Sequence, residues 1–131
     1  MSDPKTTVQT FHEHFNAGER DAVLAMATDD IAIGGARGKD SGKRFLEEWV
    51  GRATTTMTPQ RWFQKDATVV VEELVEWRSK STGRITDRTL WGIAFTVDGD
   101  RITAMARYAG IGEAVYKAGL DASHEVDAAA S

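Results

Sequence analysis

The chain has 131 residues, a net charge of −4 and no cysteine. That length holds one domain with one core, and the lack of cysteine removes disulfides, thiolate metal sites and cysteine nucleophiles together. The acidic balance leaves no electrostatic footprint for nucleic acid or an anionic membrane.

The first residues, Met1-Ser2-Asp3-Pro4-Lys5, are polar and run straight into an amphipathic pattern. No apolar signal core is read there, so a cytoplasmic location is expected. Asp3-Pro4 reads as a helix start, Val8, Phe11 and Phe15 make one apolar stripe, and Gly18 supplies the stop. A second short helix is expected over 19–27, with Val23, Met26 and Ala27 buried. Thr28-Asp29-Asp30 then reads as a break before a short strand at Ile31 and Ile33, and 34–40 as a loop with three glycines. Ser41 caps a third helix that carries Phe45, Leu46, Trp49 and Val50 on one face.

From there the apolar period becomes two. Strands are expected over 60–65, 68–80, 84–97 and 101–109. They are separated by turn signals at Asp66-Ala67, Ser81-Thr82-Gly83 and Asp98-Gly99. Connections this short make neighbours antiparallel, hence a four-stranded meander. A last helical turn or two is expected over 111–120, and 121–131 reads as a loose tail outside a single domain of 1–120. Helices first and long strands afterwards mean an α+β fold. Strands this long must twist, so the expected form is a cone-shaped, curved antiparallel sheet wrapped around three N-terminal helices. A mostly apolar pocket is expected at its open end.

Several local patterns occur in a telling order. They are Val8-Gln9-Thr10-Phe11 through Asn16-Ala17-Gly18, Ala27 to Ile33, Ser41-Gly42-Lys43-Arg44-Phe45-Leu46, and Asp98-Gly99-Asp100-Arg101-Ile102 through Tyr108. Over residues 5–118 this order resembles the nuclear transport factor 2-like superfamily, nearest to its SnoaL-like and ketosteroid isomerase-like branch. The resemblance implies a fold that hosts isomerases, cyclases, dehydratases, epoxide hydrolases and transport proteins, so function must come from the site. Its departures are informative. Where ketosteroid isomerases carry a tyrosine donor this chain has Phe11; where they carry the aspartate base it has Gly34-Gly35; the second oxyanion donor falls at Ile93 or a neighbour. Each such group contributes several kcal/mol to the transition state, so that mechanism is not expected. The epoxide-hydrolase set falls on Glu73, Val75 and Gly110, and the cyclase acid on Ala109-Gly110, neither of which supplies the chemistry.

Three residues are left as candidate catalytic groups: Asp87, His12 and Arg107. Alternation places Asp87 on one face with Ile85, Thr89, Trp91, Ile93, Phe95 and Val97; a carboxylate there becomes a base if the face is buried, or a solvated ion if it is not. His12 lies about 40° from Val8 on the helical wheel, as a proton carrier or as a hydrogen-bonded core residue. Arg107 shares parity with Met105 and calls for an anion or a carboxylate such as Asp87 or Glu73, a structural pair being the plainer outcome. Phe11, Phe15, Trp62, Trp91, Ile93 and Met105 are the expected pocket lining, and Trp77 a core or interface residue.

No cofactor and no metal are expected: His12 and His14 lie about 200° apart on one helix. The Gly-Lys pairs at 38–39 and 42–43 lack the spacing of a phosphate loop. The expected function is binding of a small hydrophobic molecule. Two rivals stand beside it. One is a metal-free isomerase, cyclase or lyase performing proton transfer or hydration on an apolar carbonyl compound. The other is a protein-interaction module using the outer sheet face. A homodimer through the convex sheet face is also expected.

Overall fold

The computed structural model describes residues 3–33, 42, 44, 46, 47 and 55–126. The expectations for the 34–40 loop and for Phe45, Trp49 and Val50 lie outside those residues, while Leu46 is buried. The described elements are α1 (Pro4–Asn16), α2 (Arg20–Met26), β1 (Ala27–Ile33), β2 (Thr55–Lys65), β3 (Thr68–Arg78), β4 (Ile85–Asp98), β5 (Arg101–Tyr108), α3 (Ile111–Lys117) and β6 (Glu125–Val126).

The six strands form one open, curved sheet in the order β1-β5-β4-β3-β2-β6. β2 to β5 are the antiparallel meander, as the short turns require. Gly83 and Gly99 adopt φ of 71° and 63° in two of those turns, and Asp66 adopts 53° in the third. β1 joins the far edge parallel to β5, so the sheet is mixed. Its polar start, Thr28-Asp29-Asp30, is strand and not a break: pairing along β5 overrides the turn preference of those residues. At the other edge, part of the segment expected to be a loose tail is built in. Ala122–His124 makes a 3-10 turn, and β6 pairs with β2 at Trp62 and Phe63. Arg61 fastens it with two hydrogen bonds of 2.9 Å to Glu125.

Alternation along the strands sorts two cores. On the concave face, Val69, Val71, Val75, Ile93, Phe95, Val97 and Met105 meet the α1 stripe Val8, Phe11 and Phe15. Phe11 lies 6.0 Å from Phe15 and 5.7 Å, edge to face, from Phe95. Rings this large each contribute about 1.5–3 kcal/mol on burial. Asn16, at the last turn of α1, completes the attachment by behaving as a strand neighbour. Its amide donates to the Met57 carbonyl at 2.8 Å and accepts from the Met57 N–H at 2.9 Å. On the convex face, Phe63 and Val70 pack under Ala114, Val115 and Leu120 of and beyond α3. Gly92 makes that contact close: a Cβ there would sit 2.6 Å from both the Ala114 Cβ and the Gly110 carbonyl oxygen. Among the described residues no helix is long and apolar enough to cross a membrane.

Candidate functional site

Among the described residues three ionisable side chains are buried: Lys5, whose Nζ lies 5.6 Å from the Trp62 ring centroid, and His12 and Glu73, which face each other. His12 projects from the middle of α1 and Glu73 from the middle of β3; they are 4% and 0% exposed. His12 is walled by aromatics, with Phe95 at 5.7 Å, Trp62 at 5.8 Å and Phe11 at 6.0 Å between ring centroids. Burial of a charge in such a place costs several kcal/mol unless it is paired, and here it is paired. His12 Nε2 contacts Glu73 Oε2 directly. His12 Nδ1 donates to the Val8 carbonyl at 2.7 Å, one helical turn back.

These two contacts fix the proton count. Nδ1 must carry a hydrogen, because a carbonyl only accepts. The Nε2–Oε2 contact then needs one further proton, held by either partner. Burial alone lowers the His12 pKa, but the Glu73 charge, the Glu73 hydrogen bond and the Val8 carbonyl together outweigh it and leave the pKa raised. The raised pKa favours the imidazole as holder of the shared proton. Glu73 Oε1 has no hydrogen-bond partner among the described residues. A buried acceptor in that state costs about 1–3 kcal/mol, more when charged, and calls for an explanation. His12 has no acceptor left to offer a ligand. The chemically open atom of the pair is Glu73 Oε1.

A second feature continues the row. Glu73 stands directly opposite Trp91 in the β3–β4 ladder. Trp91 packs edge to face on Trp77, 5.5 Å between centroids, and carries the Arg107 guanidinium 4.4 Å above its ring. Arg107 is exposed and makes no ion pair among the described residues, so the acid partner expected for it is replaced by an aromatic one. Asp87 is also exposed. Its Oδ1 accepts from the Arg88 backbone N–H at 2.9 Å, while the Arg88 side chain pairs with Glu76 at 3.4 Å. Asp87 lies six residues along β4 from Ile93, the ladder partner of Arg107, or roughly 20 Å.

His12, Asp87 and Arg107 therefore do not converge. His12 meets Glu73, Arg107 meets Trp91, and Asp87 meets neither. Of the expected lining, Phe11, Phe15, Trp62, Ile93 and Met105 are buried in the core and Trp91 is half-buried beside it. A groove of about 290 Å3 does occur on the convex face beside α3, lined by Ala32, Ala94, Ala104, Ala106 and Tyr108 among others. It has no ionisable group other than that phenol and lies across the sheet from the buried pair. The described residues contain no group of three metal-ligating side chains.

No family model and no curated protein matches the chain by sequence. Solved structures do match it. A protein of unknown function from Cytophaga hutchinsonii, itself described as NTF2-like, superposes with a TM-score of 0.65 at 12% identity, over 82% of this chain and 90% of that one. The chain has the nuclear transport factor 2-like fold. The epoxide hydrolase/cyclase-like enzyme SalBIII, with a role in pyran ring formation in the polyether salinomycin, shares the fold. It aligns at a TM-score of 0.66 and 19% identity, covering 83% of this chain and 92% of the enzyme. A putative polyketide cyclase from Xanthomonas campestris pv. campestris aligns at 0.61 and 22%, over 84% and 92%. Identities this low carry the fold and not the chemistry, and within this fold the same scaffold serves unrelated reactions.

Glu73 is the residue that sequence reasoning offered only as an acid partner for Arg107. Its signal was present: Val69, Val71, Glu73 and Val75 alternate on one face of β3, so one acid interrupts an otherwise apolar row in mid-strand.

Proposed function

We propose that this nuclear transport factor 2-like domain binds a small, mostly apolar molecule on the concave side of its sheet, anchored by a donor group on Glu73 Oε1. One observation carries the reading: a fully buried carboxylate oxygen without a partner among the described residues, set in an aromatic surround. A ligand hydroxyl or amide N–H would satisfy it, and the rings of Trp62, Phe95 and Trp91 would take the apolar body. Apolar ketones, sterols and phenolic polyketide-like compounds should raise the melting temperature; saturation at a hundred times Kd adds about 2.7 kcal/mol of stability. Glu73→Leu should remove the advantage of hydroxylated members over their deoxy analogues. A flat melting temperature across the panel would overturn the proposal.

The single proton shared by the pair favours a second reading, proton transfer or hydration on an apolar carbonyl compound. When Glu73 accepts a proton from a neutral substrate at Oε1, the pair passes from neutral to +1 as the substrate becomes −1. The two new charges are neighbours, so no isolated buried charge is created. Glu73→Gln separates the readings. The amide that this substitution introduces can donate to the bare Nε2 of a neutral His12 and still present an acceptor oxygen, but it cannot take a proton. Binding should survive in that variant and turnover should vanish; turnover that persists would eliminate Glu73 as the base.

Dimerisation through the convex face belongs to the same proposal. α3 covers the β3–β5 part of that face, while Leu90 beyond it is 48% exposed opposite Leu74. A monomeric mass in light scattering at micromolar concentration would remove this element.

A further inference from the structure

The concave face holds a second recognition element that the binding proposal leaves unused. Arg107 has the parity of Met105 and so projects toward the cone, yet it pairs with no acid among the described residues. Its flat face is spent on Trp91, 4.4 Å away. Stacking of this kind leaves the N–H groups around the guanidinium edge free to donate, and it holds the fork in place before any anion arrives. Trp91 is itself held by Trp77, and its ladder partner is Glu73. Guanidinium and carboxylate thus flank one indole, and they do not pair with each other. Arg107 offers donors and a positive charge on the solvent side of Trp91, and Glu73 offers a bare acceptor in the buried layer beside it.

The geometry points to a ligand that carries a carboxylate at one end, for Arg107, and a hydroxyl or similar donor at the other end of a short apolar body, for Glu73. This inference rests on the binding proposal and narrows its ligand to hydroxylated aromatic or alicyclic acids. A bidentate carboxylate–guanidinium contact supplies the specificity at Arg107, and the aromatic walls supply contact area without regard to charge.

Matched probe pairs on the intact chain test it: 2-naphthoate with 2-naphthamide, 6-hydroxy-2-naphthoate with 6-hydroxy-2-naphthamide, and 4-hydroxybenzoate with 4-hydroxybenzamide, each titrated by calorimetry. The carboxylate should bind about tenfold or more tighter than its amide, the span of one charge-assisted contact. Arg107→Met should close that gap while leaving amide binding unchanged, and Arg107→Lys should keep only part of it. Glu73→Leu should weaken the hydroxylated probes and spare the gap, because the two ends are read separately. Amides that bind as well as their acids, or a gap that survives Arg107→Met, would overturn the ligand class and leave the binding proposal standing. Failure of every probe to bind would remove both. If Arg107→Met does not fold, Arg107→Lys decides, since an undiminished gap there excludes recognition by the guanidinium fork.

Discussion

The two faces of the sheet are packed by opposite strategies. The concave face meets α1 through large rings and keeps a charged pair, His12 and Glu73, inside that contact. The convex face meets α3 through uncharged residues, Phe63, Val70, Val115 and Leu120 among them, with Ala114 over Gly92 at the closest approach. A buried ion pair is a poor way to gain stability, because apolar residues of similar volume do as well or better. The His12–Glu73 pair lies on the concave face only, and the binding proposal rests on that face. The convex seam is apolar packing without charge, with one close backbone approach at Gly92.

The largest expected effect separates the two faces directly. His12→Ala leaves Glu73 buried and unpaired, and should cost about 3–5 kcal/mol in a urea titration. The double variant His12→Phe with Glu73→Leu should recover most of that loss, and should bind none of the hydroxylated probes by way of Glu73. A double variant as unstable as the single one would make the pair a structural requirement and erase the contrast. On the convex side, Gly92→Ala should cost about 1–3 kcal/mol, because the added methyl meets the Ala114 Cβ and the Gly110 carbonyl at once. Ligand binding at the concave face should be nearly unchanged once the variant is folded. Lost binding would mean that the two faces are coupled.

The smallest effect is a pH dependence. The His12 pKa is raised in the folded chain, so protonation favours the native state. That contribution is full below the unfolded value of about 6.5 and is lost as pH rises through the higher folded value. Stability measured from pH 6 upward should therefore fall more steeply for the native chain than for the His12→Phe, Glu73→Leu variant. Parallel curves would show that the imidazole does not carry the shared proton.

Much of this was legible in the residues. The starts and stops of α1, β3, β4 and β5 follow closely from Pro4, Gly18, Gly83, Gly99 and the change of apolar period, because each is a local backbone preference. β1 was less legible at its start, since its polar residues are strand only through their pairing with β5. β6 was less legible still: two residues on an edge, tied down by Arg61, have no periodicity to read. His12 stood out as a histidine at the margin of an apolar stripe, but its partner did not.

Asp87 and Glu73 make the division plain. Both are acids at apolar parity on long neighbouring strands, and alternation alone treats them alike. Parity is local, with a period of two, so the sequence by itself settled which face each side chain takes. Depth is not local. It depends on how far α1 reaches across the curved sheet, and that placed Glu73 under His12 while Asp87 was left in solvent. The same holds for Arg107, whose charge was evident and whose partner was decided by the register that brings Trp91 beneath it. Chain order and side-chain parity came from the sequence; burial, and with it which of the two acids lies inside, came from the packing of distant elements.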